Sequence, residues 1–158
     1  MVDEPDGVVR DFLTSFLTDP NSGSRPAGHA YVVSNWPVVS DLVFNDYPRI
    51  SVVRPQESQK PFGLGGSTMF QTIRLQIDVW AKPDVLFTIG GTVYEGSNLV
   101  RKISRDIEEA IKNNYISSLL NTNKFLLMQY MEMYKPHRDY DKNLWRVTMT
   151  VTFNKINT

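Results

Sequence analysis

The chain has no cysteine among its 158 residues, which excludes disulfides, thiolate metal ligands and cysteine nucleophiles and fits folding in a reducing, cytoplasmic setting. Histidine is scarce too. His29 and His137 are the only two, and neither has a second ligand at helical or strand spacing, so a histidine-based metal centre or catalytic triad has little to be built from. An excess of either charge is also missing: Lys and Arg number 17 and Asp and Glu number 17, so no overall field draws the chain to nucleic acid or an anionic membrane. No apolar run approaches the ~20 residues that span a bilayer. The acidic opening MVDEPDGVVRDF lacks the charged-then-apolar layout of a signal peptide. These absences predict a soluble protein made in the cytoplasm, with no cofactor, no metal, no catalytic residue, no membrane contact and no sequence-specific nucleic-acid partner.

What is present is ordinary globular material. Hydrophobic residues make up 41% and charged residues 22%, enough apolar surface for a core without metals or cross-links, and the length predicts a single domain over residues 1–158. The charge is polarised along the chain. Asp3, Glu4, Asp6, Asp11 and Asp19 face Arg10 alone in the first 19 residues, whereas ten basic and six acidic side chains follow position 100.

Periodicity then sets the elements. Val8, Val9, Phe12, Leu13, Phe16 and Leu17 form one helical stripe, ended by Asp19-Pro20-Asn21-Ser22-Gly23-Ser24. His29 to Phe44 predicts short strands. Arg49 to Val53 predicts a strand stopped by Pro55, and Gln56 to Ser67, with Pro61 and Gly63-Leu64-Gly65-Gly66, predicts a mobile contact loop. From Thr68 to Trp80 the chain alternates: Met69, Ile73, Leu75, Ile77 and Val79 share one face, and Thr72, Arg74, Gln76 and Asp78 the other. At about 3.3 Å per residue this strand spans roughly 40 Å, long enough to project from a small core or cross into a neighbour. Val85 to Glu95 predicts a hairpin about Gly90-Gly91. Ser97 then caps a helix whose inner stripe is Leu99, Val100, Ile103, Ile107, Ala110 and Ile111, with Arg105–Glu109 and Glu108–Lys112 spaced as i,i+4 pairs. Phe125 to Tyr134, apolar at both parities, predicts a central or interfacial strand, and Trp145 to Phe153 alternates with a threonine-rich polar face. The sum is an α+β fold: a mixed, mainly antiparallel sheet packed against two helices, with a protruding hairpin or long loop.

Motifs that imitate chemistry dissolve on inspection. Gly63-Leu64-Gly65-Gly66-Ser67-Thr68 has no lysine before the Ser/Thr and leads into a strand, where a phosphate cradle needs a helix N-terminus. His137-Arg138-Asp139-Tyr140-Asp141-Lys142-Asn143 suggests a calcium loop, but Leu144 stands where that loop needs glycine and Thr150 where it needs glutamate. It also spells the HRD of kinases, with Leu144 in place of the magnesium-binding asparagine. A solvated turn is the better account. Trp36, Trp80, Tyr94 and Trp145 lack the basic stripe of a single-strand-binding surface and are assigned to core or interface. A carboxylate site assembled from Asp41, Asp46, Asp78, Glu95 and Asp139 in three dimensions is the one enzymatic alternative, recognisable by a concave pocket gathering several of them.

The order helix, strand, glycine loop, long strand ending Ile77-Asp78-Val79-Trp80-Ala81, helix and two strands resembles the tail-terminator, or tail-completion, proteins of long-tailed bacteriophages and related archaeal viruses. The resemblance rests on Tyr47-Pro48-Arg49-Ile50-Ser51-Val52, on Ile73-Arg74-Leu75-Gln76-Ile77-Asp78-Val79-Trp80, on the helix Leu99 to Ile111 and on the final strand Trp145 to Phe153, and covers most of the chain. It implies a non-enzymatic virion subunit of the tail or neck, made in the host cytoplasm. Such a subunit forms a homo-oligomeric, probable-hexamer ring that caps the tail tube and meets the tail-tube protein on one side and the head-completion or connector protein on the other. The Val85 to Glu95 insertion and the long segment before Tyr47 depart from the shorter members. Within this reading the expected protein-interface residues are Phe62 and Leu64 in the glycine loop, Arg74 and Trp80 on the polar side of the long strand, and Tyr94 in the hairpin. Another neck, head-completion or tail-tube protein is the nearest alternative, and a small enzyme or ligand-binding module the alternative of a different class.

Overall fold

Alternation along three long strands organises the molecule. A computed structural model describes residues 4–35, 42–62, 68–114 and 125–157, with side chains described for 4–35, 42–54, 73–114 and 132–153. The elements in order are α1 (Pro5–Phe16), β1 (Val32–Val33), a 3-10 turn (Phe44–Asp46), β2 (Arg49–Phe62), β3 (Thr68–Ala81), β4 (Leu86–Ile89), β5 (Thr92–Glu95), α2 (Gly96–Asn114), β6 (Phe125–Met133), β7 (His137–Asp139) and β8 (Leu144–Asn157). The main sheet runs β1-β2-β3-β8-β6, with β7 also on β8, while β4 and β5 form a separate ribbon. Only β1 is parallel to its neighbour; the remaining pairs are antiparallel. The fold is α+β, as the periodicity predicts.

Register explains the core. Ile50 and Val52 stand opposite Val79 and Ile77, and those residues, with Leu75 and Ile73, stand opposite Val147, Met149, Val151 and Phe153. All are buried and share one face. Val8, Val9, Phe12 and Leu13 of α1 pack on it from the β1–β2 side, and the six-residue stripe of α2 from the β3–β8 side. Each fully buried aliphatic or aromatic side chain contributes about 1.5–3 kcal/mol before chain entropy is subtracted. Phe16, placed in the α1 stripe by its spacing, is 47% exposed and tilts against Phe12 with 4.8 Å between ring centroids.

Glycine governs two turns. Gly90 and Gly91 have φ of 59° and 82°, the paired positive values of a two-residue hairpin turn, which join β4 to β5 in the predicted place. Gly96 has φ of 48°, and a Cβ there would lie 3.0 Å from Trp145 Nε1. Only glycine lets the ribbon turn into α2 against that indole. The helix begins at Gly96, so Ser97 sits in its first turn, not before it. On its outer face Lys112 pairs with Glu108 at 2.6 Å, as the spacing predicts, and Lys102 pairs with Asp106 at 2.7 Å.

The structure corrects four expectations. Pro55 does not stop β2; the strand continues to Phe62 through a register shift between Val53 and Gln56. Beyond Ser51 the outer side of β2 has no strand partner among the described residues, and an edge strand tolerates prolines that a central one does not. Most of the predicted loop is therefore the rising arm of a β2–β3 hairpin, and residues 63–67 lie outside the described residues. Strand β6 is terminal in the sheet, not central. Of the short strands expected between His29 and Phe44 the described residues hold only Val32–Val33, residues 36–41 being outside them.

Candidate functional site

The polar face of the sheet carries one fully buried carboxylate. Asp78 is wholly buried, and its carboxylate accepts bonds from Arg146 Nε at 2.9 Å, Thr148 Oγ1 at 2.7 Å and Gln76 Nε2 at 3.0 Å. Three donors from β3 and β8, one of them a cation, replace the water a carboxylate loses on burial. Two residues along, Trp80 lies opposite Arg49 on β2 and Arg146 on β8. The Arg146 guanidinium sits 4.6 Å from its ring centroid and the Lys142 ammonium 5.9 Å, both within cation–π reach. Tyr47, Leu144 and Leu42 close around it as a second small core.

A second polar network ties the loop after α1 to the loop before β2. Arg25, with only 5% of its side chain exposed, bonds Asp19 through Nε at 2.7 Å and Nη2 at 2.8 Å. It also donates to the carbonyls of Asp46 and, at 2.7 Å, Pro48, on either side of the cis Tyr47–Pro48 bond. Asn21 Nδ2 donates to the carbonyls of Asn45 at 2.8 Å and Tyr47 at 3.2 Å. Asp46 pairs with His29 Nδ1 and accepts the Val43 N–H at 2.7 Å. Burial pushes the Asp46 carboxyl upward, but the His29 bond, the Val43 N–H and the nearby Arg49 outweigh it and hold the pKa below the ordinary aspartate value. Asp139 follows the same rule. Burial raises it, and the Lys142 N–H and ammonium more than offset that.

Each described carboxylate named for a possible assembled site is held separately: Asp46 by His29, Asp78 by Arg146 and Asp139 by Lys142, while Glu95 is exposed and Asp41 lies outside the described residues. Among the described residues no cluster of His, Asp and Glu has the makings of a metal site. Two grooves stand out among the described residues. One, of about 350 Å³, lies where α1 ends beside α2, with Phe16, Leu17, Ile103 and Ala110 as its apolar wall and Asp106 and Glu109 on its rim. The other, of about 570 Å³, runs between the outer side of α1 and β1.

The five expected interface residues scatter. Arg74 is exposed on the polar side of β3, between Gln56 and Thr152. Tyr94 is half-buried, opposite Phe87 and packed against the main core. Phe62 ends β2 opposite Thr68, its side chain outside the described set, as is all of Leu64. Trp80 is the correction: it is on the polar side as alternation predicts, but only 1% exposed, because Tyr47, Leu144 and Leu42 cover it. The sequence reading missed Arg25, Asn21 and His29 altogether. Asp19-Pro20-Asn21 does signal a side-chain-stabilised turn, and Asp19 Oδ1 accepts the Asn21 N–H at 2.9 Å, but the partners more than 20 residues away leave no local mark.

Comparison with protein-family models gives no match, and a search of curated proteins gives none either. No helix among the described residues is long and apolar enough to cross a membrane.

Proposed function

We propose that this chain is a structural subunit of the tail-terminator kind: it joins copies of itself into a ring that caps a viral tail tube and meets the head-side connector, and it works by assembly and not by catalysis. The observation that carries the reading is the outer edge of β6. This nine-residue strand, FLLMQYMEM, has no proline and a single charge, Glu132, next to its end, and pairs only with β8 among the described residues. Proteins that stay single protect such an edge with charge, proline or a covering element, because its free N–H and C=O groups template pairing with another chain.

The other end of the sheet supports the same reading. Beyond Ser51, β2 has no outer partner among the described residues. Two open edges at opposite ends of one sheet suit a heterologous, head-to-tail contact, which closes into a ring when the rotation between copies permits. The 14-residue strands β2, β3 and β8, each about 46 Å at 3.3 Å per residue, give such a contact length.

Light scattering on the purified protein, alone and mixed with tail tubes from the same virus, tests this. A closed oligomer of fixed mass, in either condition, is expected. A monomer in both conditions would end the proposal, and polymers of indefinite length would transfer it to a tube protein.

A further inference from the structure

The groove between α1 and β1 has the construction of a strand-addition site. Its floor is the outer side of β1, with Ala30, Val32 and Ser34 along it, and Arg10 and Thr14 of α1 form the facing wall, with Arg49 also lining it. In a parallel ladder alternate residues bond to the same neighbour. The Ile50 N–H donates to the Tyr31 carbonyl at 2.9 Å, so Tyr31 and Val33 face β2, and Ser34 and Val32, the latter 3% exposed, turn their backbone N–H and C=O to the side away from β2. Among the described residues no strand takes up those groups.

The charge at this edge is specific. Arg10 Nη1 holds Ser34 Oγ at 3.1 Å, which leaves the guanidinium over the backbone it flanks. Arg49 Nη2 donates to Asn35 Oδ1 at 3.2 Å, while Arg49 Nε is buried and has no acceptor among the described residues. An Arg Nε can only donate, so the missing partner is an acceptor, and a carboxylate meets a guanidinium edge with two parallel bonds. Two acidic counterweights are near: Asp11, paired with Arg10 at 3.0 Å, and Asp46, whose charge acts on Arg49.

We infer that the α1–β1 groove binds an extended acidic peptide segment of another protein, which adds a strand beside β1 and sets a carboxylate against Arg49 and Arg10. Backbone bonds to Val32 and Ser34 give the segment its direction, and the two arginines select for acid. The inference does not rest on the ring: it concerns a different edge of the sheet, and it stands or falls with peptide binding whatever the oligomeric state.

The test is fluorescence anisotropy of the full chain with a labelled peptide of about ten residues alternating threonine and glutamate. Its controls are the same peptide with lysine for glutamate and one with proline at alternate positions. Saturable binding of the glutamate peptide is expected, lowered about tenfold by Arg10→Gln and by Arg49→Gln and unchanged by Arg105→Gln, an exposed change on α2. The proline peptide, which keeps the charge and loses N–H donors, binds at least tenfold more weakly. Arg10 is exposed enough that its variant folds whatever happens to Arg49. Equal binding of the lysine peptide, equal binding of the proline peptide, indifference to Arg10→Gln, or no saturation by about 1 mM each overturns the inference.

Discussion

Replacing Trp80 with alanine removes the largest wholly buried side chain among the described residues. Its surroundings predict a large loss. Tyr47, Leu144 and Leu42 pack around the ring, and strands β2 and β8, hydrogen-bonded on both sides of β3, cannot collapse into the space. Tryptophan-to-alanine changes at such sites cost about 3–5 kcal/mol, the transfer of the side chain and the cavity together. The indole also balances the Arg146 and Lys142 charges, adding roughly 0.5–1 kcal/mol. For a domain of this length each kcal/mol lowers Tm by about 2–4 °C, so a fall of about 10 °C is expected. Thermal unfolding followed by circular dichroism measures the fall, and urea unfolding the lost free energy, with Trp80→Phe as the control that keeps an aromatic ring and loses less than half as much. If Trp80→Ala unfolds within about 1 kcal/mol of the parent, the packing argument is refuted and the residue belongs to an interface, where its place in the sequence first put it.

Gly96→Ala is expected to cost about 1–2 kcal/mol, since alanine resists a φ of 48° and its methyl meets the Trp145 ring; a denaturation midpoint equal to the parent's would contradict the tight turn into α2. Arg25→Ala leaves Asp19 and two carbonyls without their cation and is expected to lose about 3–5 kcal/mol, measured by the same unfolding curve. Because the Asp46 carboxyl sits below the ordinary aspartate value of about 3.9, its contribution is present above pH ~4 and lost as pH falls through the lower folded value. The stability gap between the parent and Asp46→Asn should therefore shrink from pH 5 toward pH 3; a gap that grows over that range would reverse the assigned direction.

Strands β3 and β8 and helix α2 could be read from the sequence because each buries one face, and a buried face writes its period into the chain; the β4–β5 hairpin could be read from its Gly90-Gly91 turn. The second half of β2 could not. Gln56-Glu57-Ser58-Gln59-Lys60 between two prolines has no apolar period, and an edge strand supported from one side needs none. Trp80 shows the limit of parity. Alternation told which side of β3 it occupies, but whether that side is covered depends on Leu42, Tyr47 and Leu144, which come from elsewhere in the chain. The charged lock of Asp19, Arg25, His29 and Asp46 is hidden for the same reason, its bonds spanning 6 to 21 residues. In the sequence those residues look like a polar loop. The groove beside β1 depends on a two-residue strand, shorter than any periodicity can mark.

The proposed assembly role of this sheet is tested most directly by electron micrographs of the protein mixed with viral tail tubes, in which a closed ring seated at one end of each tube is expected. Bare tube ends beside unassembled protein would contradict it.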